Sequence, residues 1–167
     1  MNLKTIFEKQ KQLDLAFTEY TSKHGRINQE NALWEDQVII AAIVEIAEFA
    51  NEIESFKYWK INKKNNTDKI IEEYADAIHF LTSASLHFQL DHNFQPKQVE
   101  NYDINNQFKK VFVLSSEFLL HKDKDILKEL INYFLGFIKI LNWDEKIIFD
   151  AYDKKYRTNL ERIKNNY

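Results

Sequence analysis

The sequence predicts an all-α helical bundle, and three features carry that expectation. Only two glycines and one proline occur in 167 residues, too little turn chemistry for an all-β fold. Hydrophobic residues make up 44% of the chain and recur at helical spacing over long runs. The breaks between those runs are few and polar, which suits long helices joined by short connections.

The first segment, about Leu3 to Lys23, sets Leu3, Ile6, Phe7, Leu13, Leu15 and Phe17 at roughly helical intervals. The stretch "HGRIN" (24–28) breaks it at Gly25. A long pattern then runs from about Asn31 to Lys60, with Val38, Ala42, Ile46, Phe49, Ile53 and Phe56 on its apolar side. "INKKNNTD" (61–68) reads as a polar loop, with Asp68 as N-cap of a helix from about Lys69 to Gln89. The segment 91–107 holds the only proline and reads as an irregular connection with at most one short turn. Three further helices are expected at about Phe108–His121, Lys124–Leu141 and Asp144 to near the end, the last capped by Asp144. No internal repeat or low-complexity tract is present. A single domain over 1–167 is expected, with about 91–141 as a candidate smaller helical lobe.

Charged residues make up 29% of the chain, an ordinary globular proportion. The net charge of -3 supplies no global drive towards nucleic acid or anionic lipid, so neither is expected as a partner. There is no cysteine, which excludes disulfides and thiolate metal sites. No run approaches the roughly 18 apolar residues of a membrane span, and "MNLKTIFEKQKQLDLAF" lacks an apolar core of signal-peptide type. A cytoplasmic protein is the expectation.

The chemistry concentrates in two carboxylate pairs. On a helix, residues three apart share a side, so Glu45 and Glu48 can converge on one point, and Glu73 and Asp76 on another. Such oxygen-only sets suit hard divalent cations. Both pairs are flanked by apolar residues: Ile43, Val44, Ile46, Ala47 and Phe49 around the first, Ile70, Ile71, Ala75, Ala77 and Ile78 around the second. Buried acids need compensating charge, and the nearby helical positions read as lacking a basic partner. Bound cations are one source of it. The plainer reading is that both pairs are solvated helix faces. Glu100 and Asp103 have the same spacing inside the polar connection and are read that way.

Lys155, Asn159 and Arg162 also share one face, able to grip phosphate oxygens, although terminal Lys and Arg are more often simply solvated. Gln10 and Asp14, four apart, can hydrogen-bond the edge of a base. His79 and Phe80 follow the second pair, where an aromatic is more often core than a stacking platform.

With these residues located, the chain resembles the dimeric dUTPase family. That family belongs to the all-α nucleoside triphosphate pyrophosphatases, which also include MazG-like enzymes. The resemblance rests on Glu45-Ile-Ala-Glu48 and Glu73-Tyr-Ala-Asp76, on "ESFKYWK" with Phe56, Trp59 and Lys60, and on "ADAIHF". It rests also on "QKQLD" near the start and "AYDKKYRTNLER" at the end, and so spans about Gln10 to Arg162. The compact form resembles bacterial and phage members.

The resemblance implies Mg²⁺-dependent hydrolysis of dUTP to dUMP and pyrophosphate, clearing dUTP from the nucleotide pool and supplying dUMP. It implies a metal site between two antiparallel helices, with Glu45, Glu48, Glu73 and Asp76 as catalytic ligands of two or three Mg²⁺ ions, for which Mn²⁺ can substitute. Glu45 or Glu48 would also take the proton of the attacking water, with Glu52 assisting from further out. Lys155, Asn159 and Arg162 would hold phosphate. Gln10 and Asp14 would read uracil, and Trp59 and Phe80 would pack on base and sugar, with Lys60 and His79 completing the substrate set. A homodimer is implied, and some phage members of the family also bind a repressor protein. Two alternatives stay open. One is a related pyrophosphohydrolase of other or broader specificity, MazG-like or accepting dCTP. The other is a non-enzymatic helical interaction module.

Overall fold

The computed structural model describes residues 1–25, 32–64 and 66–165. They form helices α1 (Lys4–Lys23), α2 (Ala32–Ile53), α3 (Thr67–His87), α4 (Ile104–His121), α5 (Lys124–Leu135), α6 (Phe137–Ile140) and α7 (Glu145–Lys164), with a 3-10 turn at Glu100–Tyr102. No strand occurs among the described residues; a lone bridge joins Asn2 to Asn93.

Helix α3 is the axis of the bundle. From Glu73 to Ser85 nearly every residue is buried, because α2, α7 and α1 pack around it and α5 touches it as well. Helix α2 runs antiparallel to it. Trp34 at the start of α2 meets His87 at the end of α3, with ring centroids 4.8 Å apart, and Phe49 late in α2 meets Tyr74 early in α3 at 5.3 Å. Phe49 is fully buried and also contacts the rings of Phe108, Phe134 and Phe137, joining α4, α5 and α6 to the same core. Helices α1 and α2 both pack on α3 but scarcely on each other, which leaves a groove between them.

Helix periodicity locates the elements, and tertiary contacts move several of their ends. The expected start of α2 at Asn31 lies outside the described residues. Its expected end at Lys60 is corrected to Ile53. Glu54 there takes φ +57, and its carboxylate accepts hydrogen bonds from the Lys60 ammonium (2.7 and 2.8 Å), the Lys57 ammonium (3.0 Å) and the Lys64 N–H (2.7 Å). These bonds, led by those from Lys60, hold the Glu54 carboxyl down to about 2. The chain folds back over this anion instead of continuing the helix. The cap of α3 is Asn66, whose side chain accepts from the Lys69 N–H, and not Asp68, which sits in the first turn where its charge favours the helix dipole.

Helix α4 begins at Ile104, ahead of the expected Phe108, because Asp103 caps it by accepting from the Asn106 N–H. The expected Lys124–Leu141 helix is two, parted at Gly136. The Lys97 N–H takes the Asn132 carbonyl at 2.8 Å, the acceptor that Gly136 would use in a continuous helix, and Gly136 turns to the Tyr133 carbonyl. Gln107, fully buried, bonds both the Lys97 and Tyr133 carbonyls and receives the Val99 N–H. Much of the 91–107 connection is therefore clamped to α5. Asp144 caps α7 as expected, accepting from the Lys146 N–H at 2.8 Å. Gly25, at φ +67, follows the end of α1.

A Cβ on Gly136 would overlap the Lys97 carbonyl oxygen and crowd the Gln107 amide at 2.7 Å. Gly136→Ala is therefore expected to destabilise the protein by about 1–3 kcal/mol in urea unfolding. An unchanged midpoint would show that the 97–99 segment yields freely.

Candidate active site

The groove between α1 and α2 is floored by α3 and closed along one side by α7, and it encloses a cavity of about 480 Å³. Helix α1 contributes Gln10, Leu13, Asp14, Phe17 and Thr21, and α2 contributes Trp34, Gln37, Val38, Ala41 and Glu45. Asp76, His79, Phe80 and Ser83 come from α3, and Lys155, Asn159 and Arg162 from α7. The spacings of four and three within each set are those of a single helix face.

At one end three carboxylates converge. One oxygen from each of Glu45, Glu73 and Asp76 lies within 4.8 Å of the others. Helix α3 buries Glu73 and Asp76, at 4% and 8% exposure, while Glu45 is half-buried on α2. Glu48, one turn on, is exposed and stands outside the trio, although its charge is felt at Glu45. Burial first, then the charges of Asp76, Glu48 and Glu73, push the Glu45 carboxyl up to about 7. Burial also raises Asp76, against the opposing pull of Lys155.

Two lysines answer the buried acids. The Lys69 ammonium lies 2.6 Å from Glu73 Oε1 and Lys155 lies 2.6 Å from Asp76 Oδ2. The expected lack of a basic partner near these pairs is thus corrected, since Lys69 stands four residues before Glu73 on the same face. Asp76 Oδ1 remains buried without a hydrogen-bond partner. Three clustered oxygen donors, one orphaned carboxylate oxygen and a carboxyl raised by burial and neighbouring acids fit a hard divalent cation. Glu45, Glu73 and Asp76 are the residues that could hold it.

The middle of the groove is a hydrogen-bond chain that ends on the Asp14 carboxylate. Tyr152 O–H and His79 Nδ1 both donate to Gln10 Oε1, at 2.6 and 2.9 Å. Gln10 Nε2 donates to Asp14 Oδ1 at 2.7 Å, and Ser83 O–H donates to Asp14 Oδ2 at 3.0 Å. Burial pushes the His79 imidazole down to about 3, so it is neutral, stacked on Tyr152 at 3.9 Å. Gln10 is 4% exposed, and burial raises the Asp14 carboxyl.

The groove thus gathers Gln10, Asp14, Glu45, Asp76, His79, Phe80, Lys155, Asn159 and Arg162, with Glu73 at its carboxylate end. Trp59 and Lys60 are not brought there. Because α2 ends at Ile53, Trp59 is 63% exposed beside Phe56 and Tyr58, and Lys60 is bound to Glu54. Glu52 pairs with Lys64 at 2.7 Å. Sequence reasoning missed Trp34, Phe17, Ser83 and Tyr152. Ser83 and Tyr152 were findable, as Ser83 is four residues after His79 and Tyr152 three before Lys155. Trp34 shares the α2 face of Val38, Ala41 and Glu45 at steps of four, three and four, so it too could have been found.

Strand-free among the described residues, with a groove that carries clustered carboxylates at one end, the protein is of the all-α class. The sequence model of the family described as dUTPase matches residues 2–167, and the chain belongs to that family. It is a dUTP diphosphatase, hydrolysing dUTP to dUMP. A search of curated proteins returned no match.

The raised Glu45 carboxyl sets a sign for metal-free protein. Its folded value, about 7, exceeds the unfolded value of 4.5, so the folded state binds the extra proton between these limits. Stability from this group is present below about pH 4.5 and is lost as pH rises through about 7. In chelator, Glu45→Gln is expected to raise the melting temperature at pH 8 and leave it nearly unchanged at pH 4, below both values. Equal shifts at both pH values would contradict the crowding of Glu45.

Proposed function

We propose that the groove is the dUTP site and that Glu45, Glu73 and Asp76 hold Mg²⁺, with Glu48 joining them when the metal is bound. The observation that carries this reading is the convergence of the three carboxylates at one end of a groove whose other wall presents Lys155, Asn159 and Arg162. When bound, the metal would neutralise the triphosphate and lower the pKa of the attacking water. Two or three ions match the resemblance, and Mn²⁺ is a reasonable substitute.

The chain's own groups then have distinct tasks. Lys155, Asn159 and Arg162 lie along one face of α7 and would bind phosphate oxygens, fixing the chain for in-line attack. Glu45 or Glu48, on the less buried side of the carboxylate cluster, would accept the water's proton. Gln10, locked by His79 and Tyr152, offers its remaining amide N–H to an acceptor on the base, and Phe80 supplies an apolar wall. A pocket with a fixed hydrogen-bond direction rejects a base that leaves its polar groups unpaired. Trp59 and Lys60, outside this chain's groove, are left out of the assignment.

A homodimer also belongs to this reading. Ile40 and Val44 on α2, Val113 and Leu120 on α4, and Tyr58, Trp59 and Ile61 after α2 are exposed apolar side chains. Their burial against a second copy would account for them. No helix among the described residues is long and apolar enough to cross a membrane. The lack of cysteine is compatible with a cytoplasmic setting. A repressor-type partner remains an extrapolation from the resemblance alone.

The test is pyrophosphate release with Mg²⁺ from dUTP, dCTP, dTTP, UTP and dATP in parallel. Strong preference for dUTP is expected, and Asp76→Asn should lower its turnover roughly 10²-fold or more. Broad turnover would discard the base-reading roles and favour the wider-specificity alternative. Full activity in both Glu48→Gln and Asp76→Asn would refute the carboxylate assignment.

A further inference from the structure

Two ammonium groups neutralise the carboxylate cluster, and they differ in kind. Lys69 belongs to α3 itself, contacts Glu73 across one helical turn and also lies 3.4 Å from Glu72. Lys155 comes from another helix, and its side chain is only 16% exposed. Its ammonium reaches Asp76 Oδ2 at 2.6 Å, with Glu72 Oε1 a looser second contact at 3.8 Å. The other oxygen of Asp76 is the buried atom without a partner. Lys155 also lines the groove on the face it shares with Asn159 and Arg162. One carboxylate is therefore claimed by an ammonium and offered to a cation at the same time. A divalent ion and an ammonium brought to the same small carboxylate repel strongly at such range.

We propose that Lys155 is a displaceable counter-ion. It holds Asp76 while the site lacks a divalent cation, is released when one binds, and then turns along the α7 face to the phosphate chain of the nucleotide. This rests on the divalent-cation reading of Glu45, Glu73 and Asp76. The arrangement makes metal binding and nucleotide binding help one another, because the metal frees a phosphate-binding group that is otherwise occupied. It also keeps the buried acids paired in metal-free protein, so that the groove stays formed.

The experiment is a calorimetric Mn²⁺ titration without nucleotide, comparing wild type with Lys155→Gln. Removing the competing ammonium should tighten Mn²⁺ binding at least about fivefold, since the ion pair that competes with the cation is largely buried. A lysine that merely supports the fold predicts unchanged or weaker Mn²⁺ binding, and that result would overturn the proposal. A second readout uses wild type alone and does not depend on the variant's folding. Pulse acetylation read by mass spectrometry should show Lys155 labelling rise on Mn²⁺ saturation relative to Lys128. Constant labelling at saturation would also overturn it. Should wild type take up no Mn²⁺ at all, the divalent-cation reading itself falls. Uptake by wild type with no gain in Lys155→Gln sinks the displacement alone.

Discussion

The burial of acid on α3 is the constraint from which the rest of the site follows. A helix enclosed on nearly every side carries Glu73 and Asp76 at its N-terminal half, where unpaired charges would each cost several kcal/mol. The structure meets that cost with charge brought from two directions: Lys69 from the turn before and Lys155 from α7. Glu45 faces the same cluster from α2, where burial and then the neighbouring carboxylates push its carboxyl up to about 7. The position of α7 is thus tied to the charge balance of α3 as well as to the apolar contacts of Ile148. A helix placed to neutralise Asp76 necessarily lays its next turns, Asn159 and Arg162, along the groove.

The same helix links the two halves of the groove. Tyr152 and Lys155 stand three apart on α7, so one face sends a phenol to Gln10 and an ammonium to Asp76. Gln10 is consequently oriented by α7 and by His79 of α3 together. Its oxygen is consumed by two donors and its nitrogen is turned towards Asp14. An amide free to rotate would present either donor or acceptor, whereas this one has a fixed sense. Tyr152, stacked on a neutral His79, also excludes water from that chain, which preserves its direction.

The helices were legible because each carries its own apolar period, and the family resemblance was carried by short motifs that read directly. What the sequence hides is the competition for backbone groups across the fold. Glu54 ends α2 because two lysine ammonium groups and the Lys64 backbone N–H converge on it, and only Lys57 is near in sequence. Gly136 divides α5 from α6 because Lys97, far earlier in the chain, takes the Asn132 carbonyl. The site divides the same way. Helical spacing brings Glu73 and Asp76 together on α3, and the face of α7 reads without a structure. The separation of Trp59 and Lys60 from the groove follows from the early end of α2, and so could not be read from motif order. Lys69, four residues before Glu73 on one helix face, is legible from spacing alone as its partner.

The two carboxylate pairs look equivalent as sequence and are not equivalent in the fold. The α3 pair is buried and held by lysines, so its geometry is set by packing before any cation arrives. The α2 pair is looser: Glu45 is half-buried and Glu48 exposed, with neighbours Val44 and Ala47 also facing outwards. On the proposed divalent-cation reading, a site built from one packed and one looser pair would let the α2 side adjust to a bound ion while the α3 side stays in place. Two equally buried pairs would double the burden of buried charge on the bundle. The asymmetry between α2 and α3 therefore limits the cost of buried acid, and it arises from a single fact of topology. Helix α3 lies at the centre of the bundle, while α2 borders the groove and solvent.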